Sequence, residues 1–331
     1  MKRLFDQKKI INILFIAAAA ILVVNLLVDK FFLDKNNEGN SELSSAEIDS
    51  TFHLGLYNLG IHKDWIKKQK GSEIPVNISV RIPNDLPIVL VLREMNSVFD
   101  TNEVKINSVE KKIGGSTTLN FISGEKIKLK ASLVYNDKVR RKSARVGFIV
   151  NRTDVDNEND SPLLGYPEQF AFMLIPSKNS AEFIKKILKN GKEYIIYLND
   201  NIDELKFKLS DDYSPLRLKN SIREIVGAFP QAVFFLIDNK SSLFNSNVYP
   251  LLKKELEKRK IKLLEESRFK SLSYAEKKDL FEIFNNALDN INSGEDKVYI
   301  ISAEDFLSLN PEIIKYRKLG YRFTNPSALL F

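Results

Sequence analysis

The chain has 331 residues, of which 44% are hydrophobic and 28% charged, the balance of a globular protein with a real core. It has no cysteine, which excludes disulfides, thiolate metal sites and a cysteine nucleophile. Only two histidines, His53 and His62, are present, so the later part of the chain has none for a zinc site or a Ser-His-Asp triad. The net charge of +7 comes from lysines interspersed with acids, without an aromatic-basic platform, and no nucleic-acid partner is expected.

Residues 1–9 (MKRLFDQKK) are basic. The apolar run Ile10–Val28 follows, interrupted only by Asn12 and Asn25. At 1.5 Å per residue its length of about 28 Å matches a bilayer core. Lys2, Arg3, Lys8 and Lys9 place the amino terminus on the cytoplasmic side. A cleaved signal peptide is the competing reading. The run is long for its apolar region, and no A-x-A cleavage site follows, so an uncleaved signal anchor is expected. The remainder is then exported, giving a single-pass inner-membrane protein with its C-terminal domains in the periplasm. Residues 29–45 are mostly polar and read as a flexible tether.

Residues 46–135 read as a small α+β domain. Phe52, Leu56, Leu59 and Trp65 fall at helical spacing, and Val76–Ile82 alternates as a strand. Asp85-Leu86-Pro87 predicts an N-cap and early proline before a helix carrying Ile88, Val91, Leu92, Met95 and Phe99. Strands turning at Gly114-Gly115 and Ser123-Gly124 follow. His53 and His62 lack the i, i+4 spacing of a helical metal pair and read as packing or surface residues. Residues 136–144 (NDKVRRKSA) read as a solvated basic linker.

Residues 145–331 change pattern. Apolar strand candidates, Val146–Val150, Phe170–Ile175, Tyr194–Leu198, Val233–Ile237, Ile261–Leu264, Val298–Ile301 and Tyr321–Phe323, alternate with helices. The helices carry end signals: Gly191 after Ala181–Asn190, Ser214 before Pro215, and a Ser273-x-x-Glu276 capping box. Apolar runs separated by helices predict an α/β fold with parallel strands, as an open sheet or a barrel. The stretch Val233–Phe244 (VFFLIDNKSSLF) has the form of a strand buried on both faces. Its polar end, Asp238–Ser242, then falls at the carboxyl edge of the sheet, where α/β folds hold ligands.

From Arg145 to Leu330 the order and spacing of these segments resemble the divergent polysaccharide deacetylase family, carbohydrate esterases with an irregular (β/α) barrel. The resemblance rests on RVGFIV (145–150) as first strand and FAFMLIP (170–176) with GKEYIIYL (191–198) as second and third. It continues through Pro230-Gln231-Ala232-Val233 leading into the central strand, Ser267-Arg268, and Leu319–Leu330 as the closing segment. It implies a divalent metal, held by a carboxylate pair and histidines, that polarises an acetyl carbonyl and activates water. This chain departs at each such place. It has Asn151-Arg152 for the Asp-Asp pair, Tyr197 for a strand-end histidine, Ile237-Asp238-Asn239 for Asn-Asn-His, Glu266 for the Asp before Ser-Arg, and Ile301-Ser302 for Gly-His.

Amides, hydroxyls and a guanidinium do not form such a metal site. The expectation is a deacetylase-like barrel behind a transmembrane helix and a small α+β domain, with degenerate catalysis and no cofactor. Asn151, Arg152, Tyr197, Asn239 and Ser302 are the candidate ligand-binding residues, and Asp238 and Glu266 the weak catalytic candidates. An envelope polysaccharide or periplasmic protein is the expected partner. Two alternatives stand beside this: an active deacetylase with a displaced metal site, using Asp238, Glu266 and Asp154 or Asp156, and an assembly subunit of an envelope complex. The acid pairs Asp211-Asp212, Glu265-Glu266 and Glu304-Asp305 read as solvated rather than glycosidic, and Ser241-Ser242 lack a nucleophile elbow.

Overall fold

The computed structural model describes residues 42–70, 73–100, 103–111, 115–151, 161–273 and 279–331. The apolar run 10–28, Arg152, Asp154, Asp156, Gly114 and Glu276 lie outside them. Among the described residues no helix is long and apolar enough to cross a membrane. The chain divides into two units, one with Ile61–Val139 and the described residues up to Tyr57, the other with Asn58–Gly60 and Arg140–Phe331.

In the first unit, helix α1 (Ser45–Asn58) buries Ile48, Phe52, Gly55 and Leu56, a single stripe at helical spacing. Strands β1 (Ile66–Lys68) and β2 (Val76–Ile82) precede helix α2 (Ile88–Val98), which buries Ile88, Val91 and Met95. Strands β3 (Lys105–Glu110), β4 (Thr117–Ser123) and β5 (Lys126–Tyr135) complete a five-stranded sheet of order β1-β2-β5-β4-β3. A Cβ on Gly55 would meet Met95 Cε at 2.9 Å, so glycine lets α1 approach α2 this closely. The N-cap position of α2 falls on Pro87 rather than on Asp85. Pro87 makes no side-chain cap bond, and the Ile88 N–H donates to the Tyr135 hydroxyl at 3.2 Å instead. His53 sits 3.4 Å from Asp49 and His62 packs against Trp65, and neither is in a metal-ligating group among the described residues.

The second unit is α/β. In chain order it runs β6 (Arg145–Asn151), α3 (Ser161–Leu164), β7 (Ala171–Leu174), α4 (Lys178–Lys189), β8 (Glu193–Leu198), α5 (Pro215–Ala228) and β9 (Phe235–Ile237). It continues with α6 (Tyr249–Glu257), β10 (Leu263–Glu265), β11 (Lys270–Ser271), α7 (Leu280–Asp289) and β12 (Asp296–Ser302). It ends with α8 (Ala303–Ser308), α9 (Asn310–Leu319), β13 (Arg322–Phe323) and α10 (Ser327–Leu330). Ser177 and Ser214 cap α4 and α5 by accepting from the Ser180 and Arg217 N–H groups. Gly191 follows α4 at φ +68°, the left-handed conformation that glycine adopts without strain.

Every strand pairing in this eight-stranded sheet is parallel, in the order β10-β9-β8-β7-β6-β12-β11, with β13 beside the start of β6. Side chains alternate across a strand, and here both faces are buried. One set, including Phe148, Phe172, Tyr194, Ile196, Phe235 and Ile301, packs under the helices. The other, including Ile149, Met173, Ile195, Leu236, Leu264 and Ile300, forms a separate inner cluster. Residues from β6 through β10 and from β12 meet in that inner cluster only if the sheet curls around it, as a half-barrel does. Burial on both faces is why these strands read as continuous apolar runs. At the amino-terminal end Leu330 packs against the inner cluster, and Ser327 donates to Glu193. The segment read as a solvated linker is partly interior: Val139, Arg141 and Ala144 are buried, and Arg141 donates to the Leu59 and Lys318 carbonyls.

Candidate functional site at the carboxyl edge of the sheet

Extending the strand alternation by one step past the inner cluster predicts which side chains meet at the carboxyl edge. Ile149 leads to Asn151, Ile195 to Tyr197, Leu236 to Asp238, Leu264 to Glu266 and Ile300 to Ser302. Three of the five converge. Tyr197, packed on the inner cluster, donates its hydroxyl to Glu266 Oε2 at 2.6 Å. Asp238 lies close enough to act on the same phenol electrostatically. Burial, then the bond to Glu266 and its charge, then Asp238, raise the Tyr197 pKa. The phenol is therefore a neutral donor across the physiological range.

The loop after β9 is held by its own polar groups. Asp238 Oδ1 accepts from the Lys240 N–H at 2.8 Å, and the Asp238 carbonyl accepts from the Ser241 hydroxyl at 2.7 Å, a turn that aspartate favours. Asp200, two residues past β8, accepts from both the N–H and the hydroxyl of Ser242. Ser241 and Ser242 therefore pin a loop and supply no nucleophile. Asp200 was missed in reading the sequence, although a polar residue just after an apolar strand is the same signal that marked Asp238.

The remaining candidates separate from this group. Asn239 Oδ1 accepts from the Ser267 N–H at 2.8 Å, and its amide donates to Glu265 at 3.3 Å, so it ties the end of β9 to the turn after β10. Ser302 caps α8: its hydroxyl accepts from the Asp305 N–H and donates to the Asp305 carboxylate. Asn151 ends β6 half-buried. Of the acid pairs, Asp211-Asp212 is exposed, Glu265 and Glu266 serve different partners, and Asp305 is buried under its cap.

Among the described residues the donor set does not suit a hydrolytic metal; Asp154 and Asp156 of the displaced-site alternative lie outside them. No group of three histidines or carboxylates that could hold an ion occurs among the described residues. The Glu266 oxygen nearest Tyr197 already accepts a hydrogen bond, and no histidine exists in this unit. What the site offers is a phenol ring with two carboxylates beside it, neither in an ion pair among the described residues: acceptors for hydroxyl or ammonium groups next to an apolar face.

No protein-family model matches the chain, and no curated protein does. Among solved structures it is similar to BA3943 of Bacillus anthracis, described as a CE4 family pseudoenzyme, at 16% identity and TM-score 0.38, covering 68% of this chain and 89% of that one. A mutant of BA3943 gives 15% identity and TM-score 0.39, covering 68% and 91%. PdaA of Bacillus subtilis, a family 4 carbohydrate esterase, gives 14% identity and TM-score 0.34, covering 58% and 81%.

Proposed function

We propose that this is an envelope protein anchored by residues 10–28, whose deacetylase-like half-barrel binds saccharide without hydrolysing it. The observation that carries this reading is the convergence of Tyr197, Glu266 and Asp238 at the carboxyl edge. At two of the places where the family resemblance implies catalytic groups, this chain has Tyr197 and Glu266, bonded to each other. Sugars are recognised by stacking on an aromatic face and by carboxylate acceptors for their hydroxyls, and both are present. The basic amino terminus and apolar run support placement in the inner membrane with this unit in the periplasm.

The test is calorimetric titration of the purified full chain in detergent with chitooligosaccharides, acetylated and de-acetylated, together with metal analysis and an acetate-release assay. Saturable binding lost in Tyr197→Ala, with no acetate released, is the expected result. Stoichiometric zinc, cobalt or nickel with steady acetate release would restore the hydrolytic reading. Absence of glycan binding, with co-purification of a membrane complex, would favour an assembly role.

A further inference from the structure

The half-barrel has a seam. The strand order ends at β10 on one side and β11 on the other, and β11 is only two residues long, paired with β12 at Tyr299 and Ile300. Below that pairing, Asp296–Val298 of β12 have β6 on one side and no strand on the other among the described residues. The outer edge of β10 is unpaired in the same way.

Two cavities flank this seam, of about 460 and about 580 Å³. The first is lined by four consecutive residues of β12, Asp296–Tyr299, and the second by the run Lys260–Leu264, which leads into β10. A strand seen from its face contributes alternate residues; four in a row on β12 mean that its backbone edge faces the first space. Arg268 and Leu330 border both cavities. Lys253, Lys260 and Lys262 border the second and Lys270 the first; of the two acids there, Asp296 is paired with Arg145 and only Glu257 is in no ion pair among the described residues. Arg268 and Lys270 are exposed and in no ion pair among the described residues, and Lys262 rests over the Phe331 ring.

We propose that this seam receives an extended acidic segment of a partner protein, which adds to the free strand edges. Its backbone would pair along the edge of β10, alternate apolar side chains would enter the two cavities over Leu330, and its carboxylates would meet Arg268 and the lysines. The cationic rim selects acidic over basic segments. The exposed backbone edges favour a peptide over a phosphate polymer or a lipid headgroup, which would need the charges alone. The proposal rests on the free strand edges and the cationic rim and does not require saccharide binding at Tyr197.

The test uses the full chain in detergent at low salt and fluorescence anisotropy with a short labelled peptide alternating glutamate and valine. Binding weakened at least about tenfold by Arg268→Glu, kept in Arg268→Lys, and weakened about as much by N-methylating alternate peptide residues is the expected result. Circular dichroism of each variant reports whether it is folded. No saturation at about 1 mM peptide, an N-methylated peptide bound equally well, or a lysine-for-glutamate peptide bound equally well overturns the proposal. So does full displacement by inorganic polyphosphate together with indifference to N-methylation, which would make the seam a simple polyanion site. Stronger binding to phosphatidylglycerol vesicles than to the peptide, lost in Arg268→Glu, would assign it to a lipid surface and equally overturn it.

Discussion

Tyr197 and Glu266, 69 residues apart, share a hydrogen bond of 2.6 Å at the carboxyl edge of the sheet. Tyr197→Phe removes the donor and leaves the half-buried carboxylate one partner short. A hydrogen bond to a charged group is worth about 1.5–3 kcal/mol, so the variant should lose up to about that much stability in urea titration. Saccharide affinity should fall less than in Tyr197→Ala, because the ring remains. An unchanged urea midpoint would mean that the bond contributes nothing.

Ser302 separates capping from binding. Its hydroxyl caps α8, and replacing a serine N-cap by alanine costs about 0.5–2 kcal/mol. Ser302→Ala should therefore lower stability by about 1 kcal/mol and leave saccharide affinity unaltered. A large affinity loss at unchanged stability would return Ser302 to the binding residues.

Gly147 in β6 supports the C-terminal segment. A Cβ there would meet Leu329 Cδ1 at 3.1 Å and Pro326 Cα at 3.2 Å. Gly147→Val should push that segment away from the sheet at about 1–3 kcal/mol. Faster proteolytic removal of the last residues is the expected readout, and wild-type resistance would contradict the packing.

Alkali should destabilise the half-barrel. Burial, foremost, raises Tyr166 and Tyr321 to about 12 from 10.0 and also raises Tyr316 and Tyr197. A raised phenol pKa means that the unfolded chain ionises first. The stabilisation is thus complete below pH 10 and is lost as pH climbs from there towards about 12. Urea midpoints should hold steady up to about pH 9 and then fall, with tyrosinate absorbance rising together with unfolding. Ionisation of these tyrosines near 10 in the folded protein would contradict their burial.

The order of strands and helices in the second unit is legible in the sequence because its central strands are buried on both faces and several helices have end signals. Ser214 before Pro215 and Gly191 after α4 are local chemistry and need no distant partner. Strand β11 was not legible: two residues carry no periodicity, and only pairing with Tyr299 and Ile300 makes them a strand. Asp85 misled for the related reason that a good capping residue competes with what the fold supplies, here the hydroxyl of Tyr135.

The candidate site divides along the same line. Residue types and their place just after apolar runs were enough to mark Asn151, Tyr197, Asp238, Asn239, Glu266 and Ser302, because a parallel sheet presents its strand ends together. Which of them share a space was decided by the curl of the sheet, which turns alternate residues inwards. It joins Tyr197 to Glu266 and Asp238, sends Asn239 to the Ser267 N–H, and leaves Ser302 to its helix. A residue's chemistry is written in the chain. Its partner depends on strand register and curvature, which arise only when distant segments pack.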